Sequence, residues 1–178
     1  MAVRILVEGR PGSGKTTVAA RLVDLLATRG VEVRGFVTHE VREAGRRVGF
    51  TVETVDGKRA TLAHVSFPGP PRVGKYGVDL RAFERLALPA LAGSPRRGVV
   101  VIDELGKMEL ASERFRETVS ALFETPVNLA ATIHVFRHPF TERLKRLTGL
   151  ERVSVTRESR DKLPEQLAAR LAPSAFRR

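Results

Sequence analysis

Short apolar runs alternate along this chain with stretches whose apolar residues recur every three or four positions, so strands and helices are predicted to take turns. Val3–Glu8 reads as a first strand. Thr16–Arg29 places Val18, Leu22, Leu25 and Leu26 on one helix face, with Gly30 following as a cap. Val31–His39 predicts a second strand leading into a turn-rich piece. Val48–Val55 and Arg59–Val65 predict a hairpin around Asp56-Gly57. Ser66–Arg72 holds Pro68, Gly69, Pro70 and Pro71 and predicts a loop. Asp79 is placed to cap a helix running to Leu91. Val99–Ile102 is a continuous β-branched run, as in a strand covered on both faces. Ser112 is placed to cap a helix ending at Phe123, and Pro126 leads into a strand over Val127–Thr132. Pro139–Leu147 predicts a short helix, Val153–Val155 a last strand and Arg160–Leu171 a closing helix. Residues 1–171 are thus expected to form one α/β domain. Its sheet is mostly parallel with an antiparallel hairpin excursion, and residues 172–178 form a tail.

The turn between the first strand and the first helix carries the chemistry. Gly9-Arg10-Pro11-Gly12-Ser13-Gly14-Lys15-Thr16 is a complete G-x-x-x-x-G-K-S/T phosphate-binding loop. Glycines let the backbone aim successive N–H groups at phosphate oxygens, and the helix N-terminus adds positive potential. Lys15 is of a length to reach the outer phosphates. The Thr16 hydroxyl is a ligand type for Mg²⁺, and Thr17 follows on the same helical turn.

Asp103 and Glu104 directly follow the Val99–Ile102 run. An apolar strand that delivers an acid to the sheet edge beside such a loop is the Walker B arrangement. Asp103 is therefore expected to hold Mg²⁺ and Glu104 to orient and deprotonate a water. The chain order makes Val127–Thr132 the expected insertion between these two strands. That is the additional-strand, catalytic-glutamate (RecA-like) type of P-loop NTPase. Thr132 and His134 are candidate γ-phosphate sensors. Lys107 and Arg137 are candidates to neutralise charge on the transferring group, Arg137 from a loop placed to close over the nucleotide. Glu109 is expected either to orient Lys107 or to cap a helix. Arg42, Arg46, Arg47 and Tyr76 are left between phosphate or base contact and an ordinary surface or packing role.

Composition narrows the setting. The chain has 178 residues, 42% of them hydrophobic, enough for one core. It has no cysteine, which excludes disulfides and thiolate metal sites and fits a cytoplasmic location. No apolar run is long enough for a membrane helix, and the N-terminal run passes straight into the phosphate loop, unlike a signal peptide. The net charge of +11 favours polyanions. The basic residues are spread out, apart from pairs such as Arg46-Arg47, Arg96-Arg97 and Arg177-Arg178, so only weak, non-specific nucleic-acid binding is expected.

Further segments carry a resemblance. They are Gly35-Phe36-Val37-Thr38-His39-Glu40-Val41-Arg42 through Gly45-Arg46-Arg47-Val48-Gly49-Phe50, Gly74-Lys75-Tyr76-Gly77-Val78-Asp79, Asp103-Glu104-Leu105-Gly106-Lys107-Met108-Glu109, and Val155-Thr156-Arg157-Glu158-Ser159-Arg160-Asp161. With the loop at Gly9–Thr16, the chain resembles the thermophile-type and cancer-related nucleoside-triphosphatase family. The resemblance implies slow, base-tolerant, Mg²⁺-dependent hydrolysis of nucleoside triphosphates such as ATP and GTP; a monomer is expected. Ser159 stands where the family pattern has Asn, which bears on base preference. Two other functions use the same phosphate grip: a nucleotide or nucleoside kinase, with Arg137–Arg146 as its lid, and a nucleotide-dependent switch associated with nucleic acid.

Overall fold

In the computed structural model, which describes residues 2–93 and 98–173, nine strands form one sheet; from edge to edge they span residues 72–73, 76–78, 59–64, 46–54, 33–43, 99–105, 128–134, 4–9 and 150–154. The pairs Arg96-Arg97 and Arg177-Arg178, and residues 174–178 of the expected tail, lie outside the described residues.

The parallel body consists of β1 (Arg4–Gly9), β2 (Val33–Glu43), β7 (Val99–Leu105), β8 (Asn128–His134) and β9 (Leu150–Ser154). Its central strands are apolar on both faces because helices cover both. Ile5, Val7, Val99, Val101 and Ala130 face a core made with α1 (Lys15–Thr28) and α5 (Leu163–Leu171). Leu6, Val100, Ile102, Leu129, Ala131 and Ile133 face the opposite core, made with α2 (Leu80–Leu91), α3 (Glu113–Glu124) and α4 (Pro139–Leu144). Phe36, Phe83 and Phe115 are fully buried in that second core, with ring centroids 5.0–5.8 Å apart. Strand β8 lies between β1 and β7, the insertion expected from the chain order.

The helix ends obey local rules. Asp79 accepts from the Ala82 N–H at 2.9 Å, and Ser112 accepts from the Phe115 N–H at 3.0 Å. Helix α1 ends in a Schellman motif. Gly30 takes φ +73°, its N–H donates to Ala27 O, and the Val31 N–H donates to Leu26 O.

The excursion is larger than the sequence pattern predicts. Strands β3 (Arg46–Thr54), β4 (Arg59–His64), β5 (Arg72–Val73) and β6 (Tyr76–Val78) all join antiparallel. β2 runs to Glu43 rather than His39 and turns back through Ala44-Gly45. Its outer half alternates charged residues in solvent, where apolar periodicity carries no signal. The expected loop at Ser66–Arg72 ends in the short β5–β6 pair. Other boundaries shift too. β9 begins at Leu150, α4 stops at Leu144, and α5 starts at Leu163, after a turn whose Ser159 and Thr156 side chains hydrogen-bond each other's backbone N–H groups. β7 continues through Asp103 and Glu104 to Leu105, while its register with β8 breaks between Ile102 and Leu105.

Candidate active site

Strand parity brings the site together. Asp103 shares the face of Val99 and Val101, and Thr132 that of Ala130, so both point toward α1 and the phosphate loop. The loop itself spans Gly9–Thr16. Gly12 (φ +76°) and Gly14 (φ +103°) use left-handed backbone, which lets the chain turn into α1. Gly9 is required for a different reason: a Cβ there would stand 2.3 Å from Ser13 Oγ.

The start of α1 differs from the other helices. Gly14 offers no side-chain cap, and the first turn holds no acid. Its free N–H groups and dipole suit an anion. Ser13 Oγ is buried with no partner among the described residues. Arg10, Pro11, Gly12 and Thr17 are exposed, and Thr16 is half-buried. Arg160 packs over the loop, its Cδ 3.3 Å from where a Gly14 Cβ would lie.

Lys15 is buried. Its Nζ donates to Gly9 O at 2.9 Å and Arg10 O at 3.3 Å, and lies 3.9 Å from Glu104 Oε2. Asp103 is buried too. Its carboxylate accepts from the Thr132 hydroxyl, from the Thr38 N–H at 3.3 Å and from the Thr16 side chain. Burial pushes its pKa up to about 6, against the lowering effect of the Thr132 hydrogen bond. Glu109 is buried nearby, 3.5 Å from the Thr38 hydroxyl, and its carboxyl also meets backbone N–H groups of Gly106 and Glu109. Burial raises its pKa well above the usual carboxylate range, and repulsion from Glu104 and Asp103 adds to the rise. The Thr16 hydroxyl and Asp103 carboxylate stand side by side as hard oxygen donors. They fit Mg²⁺, which takes few protein ligands and completes its shell with phosphate and water.

Glu104 is partly open to solvent. Its Oε1 lies 2.5 Å from His134 Nε2. The sequence-predicted residues Lys15, Thr16, Asp103 and Glu104 therefore converge. Thr132, a candidate phosphate sensor, donates its hydroxyl to Asp103 inside the core. Glu109 does not meet Lys107 but turns inward to Thr38, a partner on β2 that no motif of the sequence singled out. Lys107 and Arg137 are not brought to the centre. Lys107 stacks over the Phe136 ring at 5.3 Å, and Arg137 is exposed with Glu142 in its field. Among the described residues neither pairs with Glu104. Arg47 and Arg42 both bind Glu40, Arg47 also donates to the Tyr76 hydroxyl, and the Tyr76 ring packs edge-on to Phe50.

The sequence profile of the NTPase family matches residues 4–168. The chain belongs to this family. Among its relatives, Nucleoside-triphosphatase THEP1 of Thermotoga petrophila is 40% identical over 93% of this chain and 90% of its own length. The cancer-related nucleoside-triphosphatase of Homo sapiens is also 40% identical, over 92% of this chain and 93% of its own. The crystal structure of THEP1 from Aquifex aeolicus superposes with a TM-score of 0.85 at 36% identity, covering 95% of this chain and 99% of that one. Membership in the NTPase family thus rests on nearly the whole chain, well beyond the phosphate loop. Among the described residues no helix is long and apolar enough to cross a membrane.

Proposed function

We propose that this protein hydrolyses nucleoside 5'-triphosphates to the diphosphate and phosphate, slowly and with broad base tolerance, using Mg²⁺. The observation that carries the reading is the convergence of Lys15 and Glu104, 3.9 Å apart, beside an uncapped helix N-terminus. Gly9–Thr17 would wrap the phosphates with backbone N–H groups. Lys15 would leave the carbonyls of Gly9 and Arg10 for the β- and γ-phosphates. Thr16 and Asp103 would hold Mg²⁺, which when bound supplies charge neutralisation on the phosphate oxygens. Glu104 would accept a proton from water as the water oxygen bonds to the γ-phosphorus and the bond to the β–γ bridging oxygen breaks. The negative diphosphate leaves, and the proton resides on Glu104 until solvent takes it. Lys107 and Arg137 sit on loops at the same sheet edge and would approach only as charge develops. Nucleic acid would bind weakly, through charge, and the protein would act as a cytoplasmic monomer.

The test is phosphate release from ATP, GTP, CTP and UTP with Mg²⁺, with and without added nucleosides and nucleotides. Equal amounts of diphosphate and phosphate, lost on chelation with EDTA, are expected. An acceptor phosphorylated faster than phosphate appears would replace hydrolysis with a kinase.

A further inference from the structure

We propose that His134 is a positioning residue: it fixes the Glu104 carboxylate through a single Nε2–H donor and so sets where the attacking water sits. The inference rests on Glu104 being the base. Three observations carry it. His134 ends β8 and stands in register with Gly9 of β1, so its imidazole lies between the phosphate loop and the end of β7. Its Nε2 is 2.5 Å from Glu104 Oε1. Its Nδ1 is buried and has no partner among the described residues.

The last two observations together select one tautomer. A proton on Nδ1 would bury an unpaired donor and leave the Nε2 lone pair facing a carboxylate. A neutral ring with its proton on Nε2 avoids both and donates to Glu104. The carboxylate is held from the other side as well. A Cβ at Gly106 would lie 3.2 Å from both Cγ and Oε1 of Glu104, so the side chain packs directly on that glycine. Phe136 lies beyond the imidazole, its ring centroid 5.8 Å away. When a nucleotide draws Lys15 to its phosphates, His134 remains as the donor to Glu104. Oε1 is then committed to the histidine and Oε2 is left to face the water.

Four variants test this: His134→Ala, His134→Phe, His134→Gln and, in parallel, Glu104→Gln. Thermal melts verify that each is folded. Ala and Phe should lower kcat about 10- to 100-fold with KM within about threefold, the signature of lost alignment rather than lost binding. Gln places an amide N–H near the Nε2 position and should recover kcat to within about fivefold of the parent. In the parent protein, nitrogen-15 NMR at pH 7 should show Nε2 protonated and Nδ1 bare. The positioning role is overturned by kcat in His134→Ala equal to or above the parent, by Phe rescuing as well as Gln, or by a proton on Nδ1. If Glu104→Gln is inactive and His134→Ala is unimpaired, this inference fails alone. If Glu104→Gln turns over normally, the proposed hydrolysis route fails and takes the inference with it.

Discussion

The two halves of the sheet differ in whether they bury acids. In the parallel half, β7 is buried along almost its whole length, and the acids at its end, Asp103 and the following Glu109, are buried against hydroxyls and N–H groups. In the antiparallel half, β3 is buried at only three of its nine residues, and the charges of this half pair at the surface. Glu53 meets His39 and Arg59, Glu40 meets Arg42 and Arg47, and Asp56 meets Lys58. Buried, unpaired carboxylates are costly, while surface pairs are close to neutral. The cost at one edge is therefore a mark of function. The helix starts differ as well: α2 and α3 are capped by the side chains of Asp79 and Ser112, whereas α1, at the phosphate loop, has neither a side-chain cap nor an acid in its first turn.

The contrast can be broken most severely at Lys15. Lys15→Ala should lower turnover by at least about 10²-fold, the scale of losing one preorganised charge contact. Affinity for a non-hydrolysable triphosphate with Mg²⁺, measured by calorimetry, should fall as well, with the melting transition intact. Unchanged affinity and turnover together would remove the loop from the mechanism.

Asp103→Asn should separate activity from stability. Turnover should be lost, yet the ligand-free protein should become more stable at pH 7. The sign follows from the raised pKa, about 6 folded against 3.8 for the ordinary group. The folded state binds the proton more tightly. Asp103 therefore supports folding fully below about pH 4, and that support is lost as pH rises to about 6 and beyond. The shift corresponds to a burden of about 3 kcal/mol above that window, of which Asn, with the Thr132 hydroxyl free to accept from its amide, should recover about 1–3 kcal/mol. Denaturation at pH 7.5 and pH 4 checks this: the gain should be present at the first and shrink toward zero at the second. A variant less stable than the parent at pH 7.5 contradicts it.

Glu53→Gln should give the smallest effect. It breaks surface pairs to Arg59 and His39 on the extension and should cost about 0.2–1 kcal/mol, with kcat unchanged. A drop in kcat beyond about threefold would mean that the antiparallel half communicates with the site.

The parallel half was far more legible than the extension, for a physical reason. A strand buried on both faces must be apolar throughout, so Val99–Ile102 announces itself, and the loop at Gly9–Thr16 needs fixed residue types at fixed spacing. Chain order alone then placed β8 between β1 and β7. The outer part of β2 and the β5–β6 pair lie where neither face imposes a pattern, and they passed for turns. Distant site partners were legible only where a motif of fixed residue types announced both of them, as for Lys15 and Thr16 with Asp103 and Glu104. Asp103 and Glu104 could be read from the strand that carries them. The Thr132 bond to Asp103 and the Thr38 contact to Glu109 cross 29 and 71 residues, and only the assembled sheet brings them together. Lys107 and Arg137 have the right chemistry, but their loops hold them against Phe136 and near Glu142.

The central claim is that the end of β7 supplies the base for hydrolysis, and single-turnover kinetics of Glu104→Gln test it most directly. The amide keeps the shape of the carboxylate but cannot take the proton from water. Triphosphate affinity should stay within about threefold of the parent, while the rate of phosphate formation on the enzyme falls by about 10²–10⁴. A single-turnover rate within about threefold of the parent would contradict the claim, because a second proton acceptor would then be carrying the reaction.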